Sequence, residues 1–141
     1  MTKRIPVIDC TDLYHPHQDP GDNFDIISPF ALPEIDLKAV ILDVTDEFRN
    51  TPKEKYIQHH GPREPGIIPM TQLNFIFDRT VPYGLSAFHK LRSINDTLED
   101  APVFQQDGVN LMIETLRESV EPVIIMVFCS CRTLAAAINR E

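Results

Sequence analysis

The fold is decided by residues 5–44, which read IPVIDCTDLYHPHQDPGDNFDIISPFALPEIDLKAVILDV. Residues 5–9 form a short apolar run that ends in an acid, which is typical of a buried strand in a parallel sheet. Residues 37–44 repeat this pattern. Between the two runs, residues 23–32 place apolar side chains at helical spacing, and Pro29 is expected to kink that helix. The segment therefore predicts a strand, a short helix and a second strand.

The rest of the chain continues the alternation of strands and helices. The further segments are predicted helices in residues 68–76, 109–116 and 134–138, and predicted strands in residues 81–83 and 123–128. Strands that alternate with helices require right-handed crossovers between parallel strands. We therefore predict one α/β domain over residues 1–141, with an open, mostly parallel, Rossmann-like sheet that carries helices on both faces.

Composition excludes several classes of function. The net charge of -8 leaves no broad basic surface for phosphates or anionic lipids, so we expect no nucleic-acid partner and no membrane partner. The longest apolar runs are far shorter than the roughly 20 residues that span a bilayer, and no signal peptide precedes the first strand, so we expect a cytoplasmic protein. Cys10, Cys129 and Cys131 lack metal or redox spacing and are interpreted as reduced thiols at strand ends.

The segment between the first strand and the first helix concentrates acidic side chains. Its five carboxylates are those of Asp9, Asp12, Asp19, Asp22 and Asp25. Carboxylates gathered at one strand end repel each other, and a hard divalent cation such as Ca²⁺, which takes six to eight oxygen ligands, relieves the repulsion. Because ligands in open α/β sheets bind beyond the carboxyl ends of the strands, this segment predicts a metal site there.

Two alternatives to a calcium site stay open at this point. Asp22 or Asn23 would serve equally well as the N-cap of the following helix, since short polar side chains are preferred there. His15 and His17 would suit a transition metal, but their spacing gives no support for one, and solvated histidines are the more common case.

The chain resembles the amino-terminal half of the nucleoside hydrolases, the inosine- and uridine-preferring nucleoside N-ribohydrolases. PVIDCTD, DPGDNFDII and FALPEIDLKAVILD are similar to the family's first strand, its D-x-D-x-G-x-D-D motif, its first helix and its second strand. Residues 108–141 are similar to the later helix, central strand and following helix. The resemblance implies a Ca²⁺-dependent hydrolase of the N-glycosidic bond of ribonucleosides.

The resemblance also implies roles for individual residues. Asp9 matches the first motif aspartate and Asp22 one of the paired acids at the helix start, so both are expected calcium ligands. Asp12 is the expected ligand that also removes a proton from the attacking water, although an alignment that makes Asp19 the central acid stays open. Phe128 falls where the family donates a backbone carbonyl to calcium.

The predicted substrate contacts lie largely outside the D-x-D-x-G-x-D-D motif, so the motif supports them less than it supports the calcium ligands. Asn23 replaces one of the family's paired acids, Arg63 and Glu64 precede the glycine near the expected ribose position, and His89 lies in the region of the nucleobase. The family's second half supplies a further calcium aspartate and a leaving-group histidine. We therefore expect this chain to be the amino-terminal part of a longer fold, with an incomplete active site.

Three functional hypotheses follow from these observations. The first is a nucleoside hydrolase that acts on a ribonucleoside or a ribose-like ligand. The second is a non-catalytic module that binds a metal or sugar hydroxyls. The third is an interaction protein whose exposed apolar sheet edge recruits another chain, including a copy of itself as a homo-oligomer. His59 and His60 lie in a polar loop and are interpreted as solvated, and Arg132 is interpreted as a surface arginine or, alternatively, a substrate contact.

Overall fold

A four-stranded parallel sheet forms the centre of the computed structural model, which describes residues 3–13, 20–45, 64 and 66–141. The strands lie in the order β3, β2, β1, β4, and every neighbouring pair is parallel. Their bounds are Ile5–Thr11 for β1, Ile35–Leu42 for β2, Tyr83–Leu85 for β3 and Ile124–Val127 for β4. The predicted open parallel sheet is confirmed, and it is parallel throughout the described residues.

Helices cover both faces of this sheet. Their bounds are Gly21–Ala31 for α1, Ile67–Ile76 for α2, Asp107–Glu118 for α3 and Arg132–Arg140 for α4, with a 3₁₀ turn at Val103–Gln105. One buried cluster joins β1 and β2 to α1 and α2, and a second joins the opposite face of the same strands to α3 and α4. The predicted Rossmann-like α/β architecture is therefore confirmed. Among the described helices, none combines the length and apolar character needed to cross a membrane.

Strand alternation on β1 decides which side chains face which pair of helices. Ile8 and Cys10 belong to the cluster beneath α3 and α4, whereas Val7 belongs to the cluster beneath α1 and α2. Because successive side chains of a strand point to opposite faces, Asp9 and Thr11 point toward the α1 side together with Val7. Both are completely buried.

The strand β4 lies within the predicted strand of residues 123–128. In the described part of the chain, β4 is an edge of the sheet and pairs with β1 alone. Ile124 of β4 is 51% exposed, and the strand's other side chains are partly buried. Phe128, which follows the strand, is 48% exposed. An apolar run indicates that helices cover the faces of a strand. It does not indicate whether the strand has a neighbour on each side in the sheet.

The carboxyl-terminal end of α1 is held by a residue that is distant in sequence. The expected kink residue, Pro29, lies inside the helix and is buried. Beyond it, Arg79 donates from Nη1 to the carbonyls of Pro29 at 3.2 Å and Phe30 at 3.3 Å, and from Nη2 to that of Leu37 at 3.4 Å. Its guanidinium carbon lies 5.3 Å from the centroid of the Phe30 ring. A cation therefore satisfies carbonyl groups at the negative end of the helix dipole.

We expect Arg79→Met to lower the free energy of unfolding by about 1–2 kcal/mol, because it removes charge-assisted hydrogen bonds to otherwise unsatisfied helix carbonyls. Arg4→Met provides the matched control, since Arg4 donates a single bond to the carbonyl of Pro33 at the exposed surface. That control should change stability by less than about 0.5 kcal/mol. Urea unfolding of the two variants checks this, and equal losses would contradict the role of Arg79.

Candidate functional site

The candidate site lies at the carboxyl-terminal edge of the sheet, beside the ends of β1 and β4. The chain leaves β1 through α1 on one face to reach β2, and it enters β4 from α3, which packs on the opposite face. The connections thus diverge between β1 and β4, and in open α/β sheets such a divergence opens a ligand-binding crevice. The acidic residues that follow β1 stand at this edge.

Asp9 is the most unusual residue of the site. Its side chain is completely buried, and neither carboxylate oxygen has a hydrogen-bond partner within residues 3–13, 20–45, 64 and 66–141. The strand register places it between Val40 of β2 and Met126 of β4, so apolar residues flank it on both sides. Burial, followed by the neighbouring charge of Asp25, raises the pKa of Asp9 to about 8. A buried carboxyl without partners is rare and calls for a functional explanation.

Asp25, on α1, connects Asp9 to the other acids. Its pKa is raised to about 6, chiefly by burial and also by the charges of Asp22 and Asp12. Contact with the backbone amide of Ile26 opposes this rise. The hydroxyl of Thr11 also opposes it slightly, although the two groups fall short of full hydrogen-bond geometry. The acids around β1 and α1 therefore form one electrostatically coupled cluster.

The structure brings together several of the predicted calcium ligands. Asp9, Asp12 and Asp22 each interact with Asp25 electrostatically, and Asp22 is 7% exposed. The expectation that Asp22 or Asn23 caps α1 is wrong, because the cap position is Pro20 and no side chain caps the helix there. Asp22 instead lies in the first turn, where a carboxylate interacts favourably with the helix dipole.

The remaining predicted ligand and base occupy the same edge. Asp12 follows β1 directly and is partly exposed, as a residue that contacts a ligand must be. Asn23 is also partly exposed in the first turn of α1. Phe128 follows β4, and its backbone N–H donates to the carbonyl of Cys10 at 2.9 Å. This bond fastens the turn after β4 to the end of β1.

Two of the predicted substrate contacts, Glu64 and His89, form contacts within the chain, and their substrate roles stay predictions. Glu64 is 4% exposed, and its Oε1 accepts a bond from the N–H of Gly66 at 3.2 Å, which shapes the turn before α2. The Nδ1 atom of His89 lies 3.0 Å from the carbonyl of Lys90, and its Nε2 is buried without a partner. Arg63 lies outside the described residues.

Several other residues singled out from the sequence also lie outside the described part of the chain. They are His15, His17, Asp19, His59 and His60. The alternative alignment through Asp19 therefore stays a prediction.

The three thiols gather at the same edge as the acids. Burial, followed by the charge of Asp43, raises the pKa of both Cys10 and Cys129 well above the usual range of a thiol. Cys10 also interacts electrostatically with Cys131, which is exposed. All three are free cysteines, as expected. Because the thiolate is the reactive form, Cys10 and Cys129 are poor nucleophiles and poor metal ligands.

The sequence did not indicate the second buried acid of the site, Asp43, which directly follows β2 and is 3% exposed. Its Oδ1 forms an ion pair with Nη2 of Arg132, a residue that is itself 5% exposed. The surface interpretation of Arg132 is therefore wrong, because its guanidinium is enclosed by this pair and by a 2.8 Å bond from Nη1 to the carbonyl of His89. An acid at the end of a predicted strand was the available signal, but its partner lies 89 positions away.

The chemistry of the donor set favours a hard cation. The side chains of the β1 and α1 cluster are mainly carboxylates, which are the ligands that hard cations prefer. The oxygens of Asp9 have no hydrogen-bond partner among the described residues. Among residues 3–13, 20–45, 64 and 66–141, however, no three His, Cys, Asp or Glu side chains stand close enough together to hold a metal ion as they are. The described residues thus supply suitable ligands at one edge without a completed coordination shell.

Comparisons of the chain with protein-family models, curated proteins and solved structures found no match. The resemblance to nucleoside hydrolases therefore stays a prediction, carried by the residues quoted above. The fold and the acidic cluster are independent of that resemblance.

We expect the stability of the cation-free protein to fall as pH rises from about 4 to about 8. The Asp9 carboxyl ionises near 3.8 in the unfolded chain and near 8 in the folded protein, so over this range only the folded state holds the proton. One such proton lowers stability by up to about 1.4 kcal/mol per pH unit. Asp25 adds to the slope between about pH 4 and 6.

Asp9→Asn should flatten this pH dependence, because the amide cannot ionise. Asp36→Asn should retain it, since Asp36 pairs with Lys38 at the surface of β2. Urea unfolding at several pH values in the presence of a chelator measures the slope. A slope in Asp9→Asn that equals the slope of the parent would show that Asp9 does not hold the proton.

Proposed function

We propose that the acids of β1 and α1 bind a divalent cation of the Ca²⁺ type, and that the protein hydrolyses the N-glycosidic bond of a ribonucleoside. The observation that carries the proposal is the buried Asp9 carboxyl, which has no hydrogen-bond partner among the described residues and lies near Asp25 at the edge where open α/β sheets bind ligands. A structural carboxylate of this kind would be expected to have partners.

A cation explains the acidic cluster better than a purely structural role. In its absence, burial and repulsion keep a proton on Asp9 at neutral pH, as the raised pKa of about 8 indicates. A divalent cation replaces that proton and removes the repulsion among Asp9, Asp12, Asp22 and Asp25. Carboxylate oxygens favour Ca²⁺ or Mg²⁺ over softer metals.

The hydrolytic chemistry follows from the resemblance and from the exposure of individual residues. A bound cation would lower the pKa of a water molecule and accept sugar hydroxyls. Asp12, partly exposed just after β1, would remove a proton from such a water. Asn23, partly exposed on α1, can offer its amide to a ribose hydroxyl. The sugar would develop oxocarbenium character as the nucleobase leaves.

A second candidate function is a module that binds a cation and a sugar without cleaving a bond. The orientation of His89 favours this alternative. A carbonyl can only accept, so Nδ1–H of His89 donates to Lys90, and the buried Nε2 is left without access to a leaving group. His89 in this orientation does not deliver a proton to a departing nucleobase.

We expect Ca²⁺ to bind the parent protein in titration calorimetry, and we expect Asp12→Asn and Asp22→Asn to weaken binding at least tenfold through loss of a charged ligand. Proton release from Asp9 should make the affinity rise with pH up to about 8. Asp36→Asn, in the surface pair with Lys38, should bind like the parent. No heat of binding by the parent at any pH would refute the metal proposal.

Turnover separates the two candidate functions. Purine and pyrimidine ribonucleosides are incubated with the Ca²⁺-loaded protein, and free ribose is measured. Release of ribose that is lost in Asp12→Asn supports the hydrolase. Ribose or nucleoside affinity without cleavage supports the binding module instead.

A further inference from the structure

Asp43 is the centre of a buried polar network at the carboxyl-terminal edge of the sheet. Its carboxylate accepts from the guanidinium of Arg132, from Oγ1 of Thr133 at 2.8 Å and, at longer range, from Oγ of Ser130 at 3.3 Å. The backbone N–H of Thr133 adds a weak bond of 3.4 Å. The Asp43 network consists of Asp43, Ser86, His89, Ser130, Arg132 and Thr133.

The network extends from Asp43 to the loop after β3. Because the hydroxyl hydrogen of Thr133 is directed to Asp43, Oγ of Ser86 donates to Oγ1 of Thr133, and these two atoms are 2.5 Å apart. Arg132 reaches the same loop by donating to the carbonyl of His89 at 2.8 Å. One carboxylate at the end of β2 thus holds the loop after β3 and the turn between β4 and α4.

The network also supplies the missing cap of α4. The cap position of that helix is Cys131, and no side chain of its own forms a cap bond there. The Asp43 carboxylate takes this place from β2, since it accepts from the N–H of Thr133 in the first turn. A negative charge at a helix N-terminus interacts favourably with the dipole and satisfies a free donor.

The turn that Asp43 holds borders the candidate site directly. Phe128, whose backbone is fastened to Cys10 of β1, lies two residues before Ser130 of the network. The Asp43 charge also acts on Cys10 and Cys129, which places it near the ends of both β1 and β4. A shift of the turn would therefore move the Phe128 backbone relative to the acids of β1.

We propose that Asp43 is the positioning residue of the crevice: it binds no ligand itself and instead holds the loop after β3 and the turn after β4 in register with β1. The inference rests on the proposed function for its effect on cation binding. Its effect on the two loops is independent of that function. The two acids thereby differ in their proposed roles. The carboxylate of Asp43 has hydrogen-bond partners on both oxygens, whereas that of Asp9 has none among the described residues.

Asp43→Asn tests this proposal, with Asp96→Asn as the matched control. Asp96 is 8% exposed, pairs with Arg92 at 3.0 Å and accepts from the backbone N–H of Leu98 at 3.0 Å. Its backbone carbonyl is held by Asn139 near the carboxyl-terminal end of α4. The control thus removes a charge from a similarly buried acid near the opposite end of the same helix, although its arginine partner is exposed.

The measurements are amide hydrogen exchange and the affinity for Ca²⁺ alone. We expect Asp43→Asn to accelerate exchange in both loops, residues 86–89 and 128–133, and to weaken Ca²⁺ binding by about tenfold to a hundredfold, as is typical when a group that orients metal ligands is lost. Asp96→Asn should accelerate exchange in residues 92–98 and leave the Ca²⁺ affinity unchanged. Equal Ca²⁺ affinities in Asp43→Asn and the parent would overturn the proposal, because Asp43 would then be only a structural residue.

The experiment also covers a variant that does not fold and a parent protein that binds no Ca²⁺. If Asp43→Asn does not fold, Thr133→Val removes the bonds to Asp43 and Ser86 with little change of shape and is expected to give the same pattern more weakly. If the parent binds no Ca²⁺, the proposed function fails. Hydrogen exchange alone then tests whether Asp43 positions the two loops. Unchanged exchange in either of the two loops would then refute its positioning role.

Discussion

The burial of the Asp9 carboxyl inside a parallel sheet is the constraint on which the site depends. Parallel strands are covered by helices on both faces, so their interior positions normally carry apolar side chains. Asp9 occupies such a position between apolar residues of β2 and β4, and its oxygens have no hydrogen-bond partner. Burial therefore favours the protonated form of Asp9, which couples the protonation of this acid to folding.

Asp9 and Asp43 are both buried acids at the same edge of the sheet, but they differ in their hydrogen-bond partners. Asp43 is buried to the same degree, but an arginine, two hydroxyls and a backbone amide satisfy it. A buried ion pair of this kind adds little stability compared with apolar packing, yet removing one partner is costly. It therefore fixes geometry. Asp9 has no such hydrogen-bond partners among the described residues.

Much of the fold could be predicted from the sequence because the signals for β1, α1 and α3 are local. Alternation and helical periodicity depend on residues within one or two turns of each other. The edge position of β4 could not be predicted, because strand order is set by contacts between distant segments. The same distinction applies to the site. Asp9, Asp12 and Asp22 are dense in sequence and were predicted, whereas the pair of Asp43 and Arg132 joins residues 89 positions apart and was missed.

The unsatisfied state of Asp9 argues for function rather than for stability. An apolar side chain of similar size at this position would avoid the cost of burying a carboxyl without partners, which is typically several kcal/mol for a charged group and less for a neutral one. Sequences depart from locally favourable choices mainly where function requires it. In the proposed function, a bound cation would offset the cost of burying Asp9, as a proton does without it. The neighbouring Asp25, which itself lies near Asp12 and Asp22, would favour such a positively charged species.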